Sequence, residues 1–114
     1  MAKRLKFRKK YREAIISERK VTTIRLNTKL KPGDVVDVIV GEERIGKATV
    51  EDVSESSIGD LTDEHAKRDG FSSRDELIKE LFSIYGKLKS DTKVKIIKFK
   101  LVSGNKIIKN KRDN

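Results

Sequence analysis

In Ile16-Ser17-Glu18-Arg19-Lys20-Val21-Thr22-Thr23-Ile24-Arg25 a charged turn, Glu18-Arg19-Lys20, runs into a strand of β-branched residues. Successive strand side chains point to opposite faces. Over residues 21–26, Thr22, Ile24 and Leu26 are therefore expected in the core, and Val21, Thr23 and Arg25 on the other face. That second face sets a hydroxyl beside a guanidinium, away from the core.

Upstream, residues 3–7 alternate as a short strand with Leu5 and Phe7 on one face, and residues 9–17 read as a helix with Tyr11, Ala14 and Ile15 at i, i+3 and i+4. Downstream, Lys31-Pro32-Gly33-Asp34 is a turn. Residues 35–40 and 44–53 form a hairpin about Gly41-Glu42-Glu43. A short helix is expected from about Thr62. Ser73-Arg74-Asp75-Glu76 has capping-box spacing and opens another, with a Leu77, Leu81, Ile84 and Tyr85 stripe and Gly86 to end it.

Residues 92–102 form a strand whose parity slips. Val94 and Ile96 share one face and Ile97, Phe99 and Leu101 the other, which predicts a bulge near Ile96-Ile97. Lys106-Ile107-Ile108-Lys109 repeats the Lys-Ile-Ile-Lys of residues 95–98 and is expected as a return strand. About six short strands and two or three helices in 114 residues make an α+β domain, a small β-barrel with helical insertions. One domain over residues 1–109 is expected, followed by a flexible basic tail at 110–114.

The net charge of +10 is unevenly spread. Residues 1–31 carry 12 basic and 2 acidic side chains, residues 32–92 carry 8 and 15, and residues 93–114 carry 8 and 1. If both basic ends lie together they make one positive face that attracts phosphate backbones. The plainer reading is a solvated surface of lysines. With no cysteine and the single His65, no metal centre and no cofactor is expected. The first ten residues hold no apolar run for a leader, and no stretch is apolar enough for a membrane span, so a cytoplasmic location is expected. Many Lys and Glu residues, no Cys and no Gln resemble proteins of hot environments.

Residues 16–25 resemble the ASCH signature, roughly Gly-x-Lys-x-x-Thr-x-Arg, with Lys20, Thr23 and Arg25 on its three polar positions. Lys31-Pro32-Gly33-Asp34 looks like the family's turn before the central strand. Leu61-Thr62-Asp63-Glu64-His65-Ala66 followed by Asp69-Gly70 is similar to its helical insert, and Ile84-Tyr85 and Lys98-Phe99 to its close. The similarity runs from about Lys6 to Lys100. It implies a PUA-like barrel with a cleft beside the signature strand and a role in RNA binding. It also implies kinship with amidohydrolases that deacetylate acetylcytidine. Their catalytic residues correspond here to Lys20, Thr23 and Asp69. Two departures stand out: Glu18 replaces the signature glycine, which predicts a different turn, and Asp69 replaces a glutamate one methylene longer.

Chemically, a threonine needs a base to become a nucleophile, and a lysine serves only if burial or another cation lowers its pKa. Arg19 and Arg25 flank Lys20 for that purpose, and Asp69 has the chemistry to protonate a leaving amine. The leading expectation is an RNA-, nucleotide- or nucleoside-binding domain, a monomer contacting its ligand through Arg19, Lys20, Thr23, Arg25, Lys9 and Lys10. Amidohydrolysis and a protein-interaction module are the alternatives. Tyr11, Phe71 and Tyr85 are each able to stack a base or to fill the core. Gly46 and Gly70 form no phosphate-cradling motif.

Overall fold

The computed structural model describes residues 3–102, so the return strand expected at 106–109 and the tail at 110–114 lie outside the described residues. In chain order the elements are β1 (Lys3–Phe7), a 3-10 turn (Lys9–Tyr11), α1 (Arg12–Ile16), β2 (Thr22–Arg25), β3 (Val35–Val40) and β4 (Glu43–Ser57). A second 3-10 turn (Ile58–Asp60), α2 (Asp63–Arg68), α3 (Arg74–Tyr85) and β5 (Lys93–Leu101) follow. The five strands make one curled, half-barrel sheet of order β1-β3-β4-β5-β2, and with the three helices the fold is α+β. All pairings are antiparallel except β1 with β3.

The curl comes from β4. This strand runs on to Ser57, beyond the expected end at residue 53, because its first part pairs with β3 and its second with β5. Two register breaks bend it: Val38 faces Gly46 and Ile39 faces Arg44, leaving Ile45 extra, and Phe99 faces Val50 and Lys98 faces Asp52, leaving Glu51 extra. An extra residue on one strand bends it and increases its twist.

The bulge predicted at Ile96-Ile97 is not there. β5 pairs with β4 without a break from Lys93 to Lys98, and the irregularity sits across the ladder at Glu51. Both parities of β5 are buried for another reason. Ile97, Phe99 and Leu101 join a core with Leu5, Phe7, Ile15, Val36, Val38 and Val50. Val94 and Ile96 join a second core with Ile24, Ile58, Leu61, Leu77 and Leu81. A sheet covered on both faces buries both sides of a shared strand.

The helix ends follow local chemistry. The Thr62 hydroxyl accepts the His65 N–H at 3.3 Å, and His65 Nδ1 accepts the Thr62 N–H at 3.0 Å, closing a capping box that occupies the only histidine. Ser73 caps α3 by accepting from the Glu76 N–H at 3.3 Å, while the Glu76 carboxylate binds the N–H and hydroxyl of Ser72 at 2.9 and 2.8 Å. Gly86, at φ +84°, ends α3. Leu26, expected in the core, is exposed because β2 ends at Arg25.

Segments from the two basic ends, β2 and β5, are neighbours in the sheet. On β5, Lys95 pairs with Glu55 at 3.3 Å and Lys98 with Glu51 at 3.7 Å, so the acids of β4 offset these lysines strand to strand.

Candidate functional site

The curl brings the two edge strands, β1 and β2, toward each other, and Arg25 spans the gap. Its Nη2 donates to the Lys6 carbonyl at 2.6 Å and its Nε to the Thr23 hydroxyl at 2.9 Å, and the guanidinium lies 5.4 Å from the Phe7 ring centre. Between this seam and α3 lies a pocket of about 150 Å³. Both tyrosines, Tyr11 and Tyr85, and two of the four phenylalanines, Phe7 and Phe71, line it. Lys20, Thr23, Arg25, Asp69 and Glu80 are among its polar lining groups.

Lys20 is placed by its backbone before its side chain matters. Its N–H bonds the Ala14 carbonyl at 2.9 Å, it forms an isolated antiparallel bridge with Asp69, and the Val21 N–H bonds the Arg68 carbonyl at 2.8 Å. The chain reaches this point from α1 by turning through Glu18 at φ +65°. The turn therefore keeps the left-handed conformation that glycine favours, at a cost of about 1–2 kcal/mol for a residue with a side chain. Gly70, at φ +94°, is needed on the other side: a Cβ there would stand 3.2 Å from Lys20 Cβ.

Lys20 and Asp69 are 3% and 4% exposed. Lys20 Nζ donates to Asp69 Oδ2 at 3.0 Å and to the Asp69 carbonyl at 3.1 Å, and the Thr22 hydroxyl donates to Asp69 Oδ1 at 2.9 Å. The rings of Tyr11, Phe7 and Phe71 stand 4.9, 5.7 and 6.0 Å from Nζ. Burial lowers the Lys20 pKa, with Asp69 opposing and Arg25 adding to the fall. Burial likewise raises the Asp69 pKa against the pull of Lys20 and Thr22. Each partner is thus pushed toward its neutral form.

Lys20, Thr23, Arg25 and Asp69 are therefore gathered at one pocket. Arg19 is exposed and outside it. Lys9 lines a separate shallow groove with Arg12 and Gly41. Lys10 pairs with Glu80 at 3.0 Å on the outer side of Tyr11. The Thr23 hydroxyl accepts from Arg25, and among the described residues it donates no hydrogen bond. Among the described residues no hydrogen bond joins Lys20 to Thr23, so the base-to-nucleophile contact of a hydrolase is not made while Lys20 holds Asp69.

Sequence reasoning missed three contributors. Thr22 was placed among core residues; it is buried, but its hydroxyl serves Asp69. Phe7, read from the sequence only as sharing a strand face with Leu5, also walls the pocket. Glu80 lies within the apolar stripe between Leu77 and Leu81, which is the signal that would have found it. Its side chain is 12% exposed, accepts from the Tyr11 hydroxyl and pairs with Lys10 and, at 3.7 Å, with Arg8.

The family model of the ASCH domain matches residues 2–103. Among solved structures, a protein from Enterococcus faecalis is similar with a TM-score of 0.68 and 14% identity, the match covering 90% of this chain and 82% of that one. The ASCH domain from Lactobacillus crispatus matches with a TM-score of 0.61 and 14% identity, over 86% and 80% of the two chains. ASCH from Zymomonas mobilis matches with a TM-score of 0.63 and 14% identity, over 84% and 64%. At these identities the likeness carries the fold. No curated protein sequence matches the chain.

Proposed function

The chain belongs to the ASCH domain family, and on that premise we propose that it binds RNA by taking one base, or a free nucleoside, into the seam pocket. One observation carries this reading: four aromatic rings and Arg25 converge on a cavity of about 150 Å³. A cavity of that size accommodates a single six-membered ring. Stacking on aromatic side chains is worth about 1–3 kcal/mol per base and tolerates any base. The Thr23 O–H and the remaining guanidinium N–H groups of Arg25 supply directional contacts to a base edge or a phosphate.

Amidohydrolysis of acetylcytidine is the second reading, favoured by the buried Lys20–Asp69 pair beside Thr23. It requires Lys20 to leave Asp69 for the threonine. Titration with cytidine, acetylcytidine and short RNA, followed by amide shifts, tests the first reading. Shifts should concentrate at Thr23, Arg25 and Phe71, without acetate release. Thr23→Val keeps the β-branched shape. It should weaken binding by about one hydrogen bond, 0.5–1.5 kcal/mol. Acetate release by the parent protein, abolished by Thr23→Val, would promote the hydrolase reading instead.

A further inference from the structure

Arg25 has a second side. Beyond it lies a groove of about 380 Å³ that shares no other residue with the aromatic pocket. Lys3 and Arg4 of β1, Arg25 of β2 and Lys29 of the β2–β3 loop line it, and no carboxylate does. Asp34 holds Lys3 at 2.8 Å, whereas Arg4 and Lys29 are exposed and, among the described residues, make no ion pair. The loop is shaped by its own side chains: Asn27 Oδ1 accepts the Thr28 N–H at 2.9 Å, and the Thr28 hydroxyl accepts the Leu30 N–H at 3.1 Å. Lys29 is thus presented on a stiffened turn. Of the five N–H donors of a guanidinium, Arg25 commits one to Thr23 and one to Lys6, so three remain at the junction of pocket and groove.

We infer that this groove is a phosphate subsite, in which Arg4, Arg25 and Lys29 hold the backbone phosphates of the nucleotides flanking the base in the pocket. The proposal rests on the pocket reading and narrows it: the ligand is a single-stranded RNA segment threaded past Arg25, and a free nucleoside fills only half of the site. A single strand has the flexibility to turn one base inward and keep its phosphates on the cationic side.

The test compares cytidine, cytidine monophosphate and a tetranucleotide RNA on the parent protein and on the Arg4→Ala/Lys29→Ala variant. Both substitutions are at exposed positions, so the variant should fold with an unchanged spectrum. Three phosphate contacts, one each to Arg4, Arg25 and Lys29, give the parent a log–log salt slope near −2.1 for the tetranucleotide. The double variant keeps Arg25, so it should bind the tetranucleotide about tenfold more weakly at low salt, with a slope near −0.7, and cytidine within twofold of the parent. A gain with cytidine monophosphate equal to that with the tetranucleotide would place a terminal phosphate in the groove and overturn the threaded strand. Cytidine binding with no gain from added phosphates would overturn the groove alone. Failure of cytidine and RNA alike would remove the pocket reading with it. A polyglutamate peptide competing as well as the RNA would overturn the assignment to nucleotide phosphate.

Discussion

Removing the Asp69 charge is the most demanding test of the site's construction. Asp69→Asn keeps the side chain's size, so no cavity term enters. What it leaves is an ammonium 3% exposed whose carboxylate partner is gone. Breaking a buried ion pair from one side costs about 3–5 kcal/mol. For a chain of this length each kcal/mol shifts Tm by about 4 °C, so a fall of about 12–20 °C is expected. The pH dependence follows from linkage. Without Asp69 to raise it, the folded-state pKa of Lys20 falls still further below its ordinary 10.5. Between that lowered value and 10.5 the unfolded chain binds more protons than the folded one, so stability rises with pH. The variant's deficit should therefore be largest at low pH and narrow as pH climbs toward 10.5. Adding Lys20→Met removes the stranded charge and should restore most of the loss, giving strong coupling in a double-mutant cycle. Urea unfolding at several pH values measures all of this. An Asp69→Asn protein within about 1 kcal/mol of the parent, or a deficit that pH does not change, would refute a dry, paired site.

Three further substitutions probe the frame around it. Glu18→Gly relieves left-handed strain of about 1–2 kcal/mol against glycine's greater chain entropy, and should stabilise by about 0.5–1 kcal/mol in urea unfolding; a loss would contradict the strain. Gly70→Ala should act in the opposite direction, costing about 2 kcal/mol and moving the Lys20 amide resonance, because its Cβ meets Lys20 at 3.2 Å and its φ is +94°; an unshifted Lys20 would count against the close approach. Ser73→Ala should cost about 1 kcal/mol through loss of the α3 cap, with nucleoside binding unchanged.

Much of this was legible because it is local. The Ser73 cap, the Gly86 stop and the β3–β4 hairpin are each written within a few residues, and each forms. The signature strand likewise named Lys20, Thr23 and Arg25. What escaped depends on tertiary arrangement. The parity slip in β5 reads as a bulge until two cores are known to cover its two faces. Arg19 sits next to Lys20 in sequence, but the tight turn at Glu18 and the strand alternation carry it to solvent. Glu80 joins the pocket across 69 residues from Tyr11, a distance no periodicity spans.

The double duty of β5 bears on how the protein is made. Its residues complete both cores, and it is the last described strand: Leu101 pairs with Ala48, and Lys98 with Thr22. A nascent chain that has emerged only as far as Ser90 lacks Val94 and Ile96 from one core and Ile97, Phe99 and Leu101 from the other. Neither half can close early and wait for its neighbour. At about 5–20 residues per second, synthesis holds both sets of apolar side chains open for seconds, an interval in which a chaperone would find them. Once β5 is released, its pairing with β2 must close a loop of 70 residues or more, from Arg25 to Lys95, which places the domain among slower folders for its size.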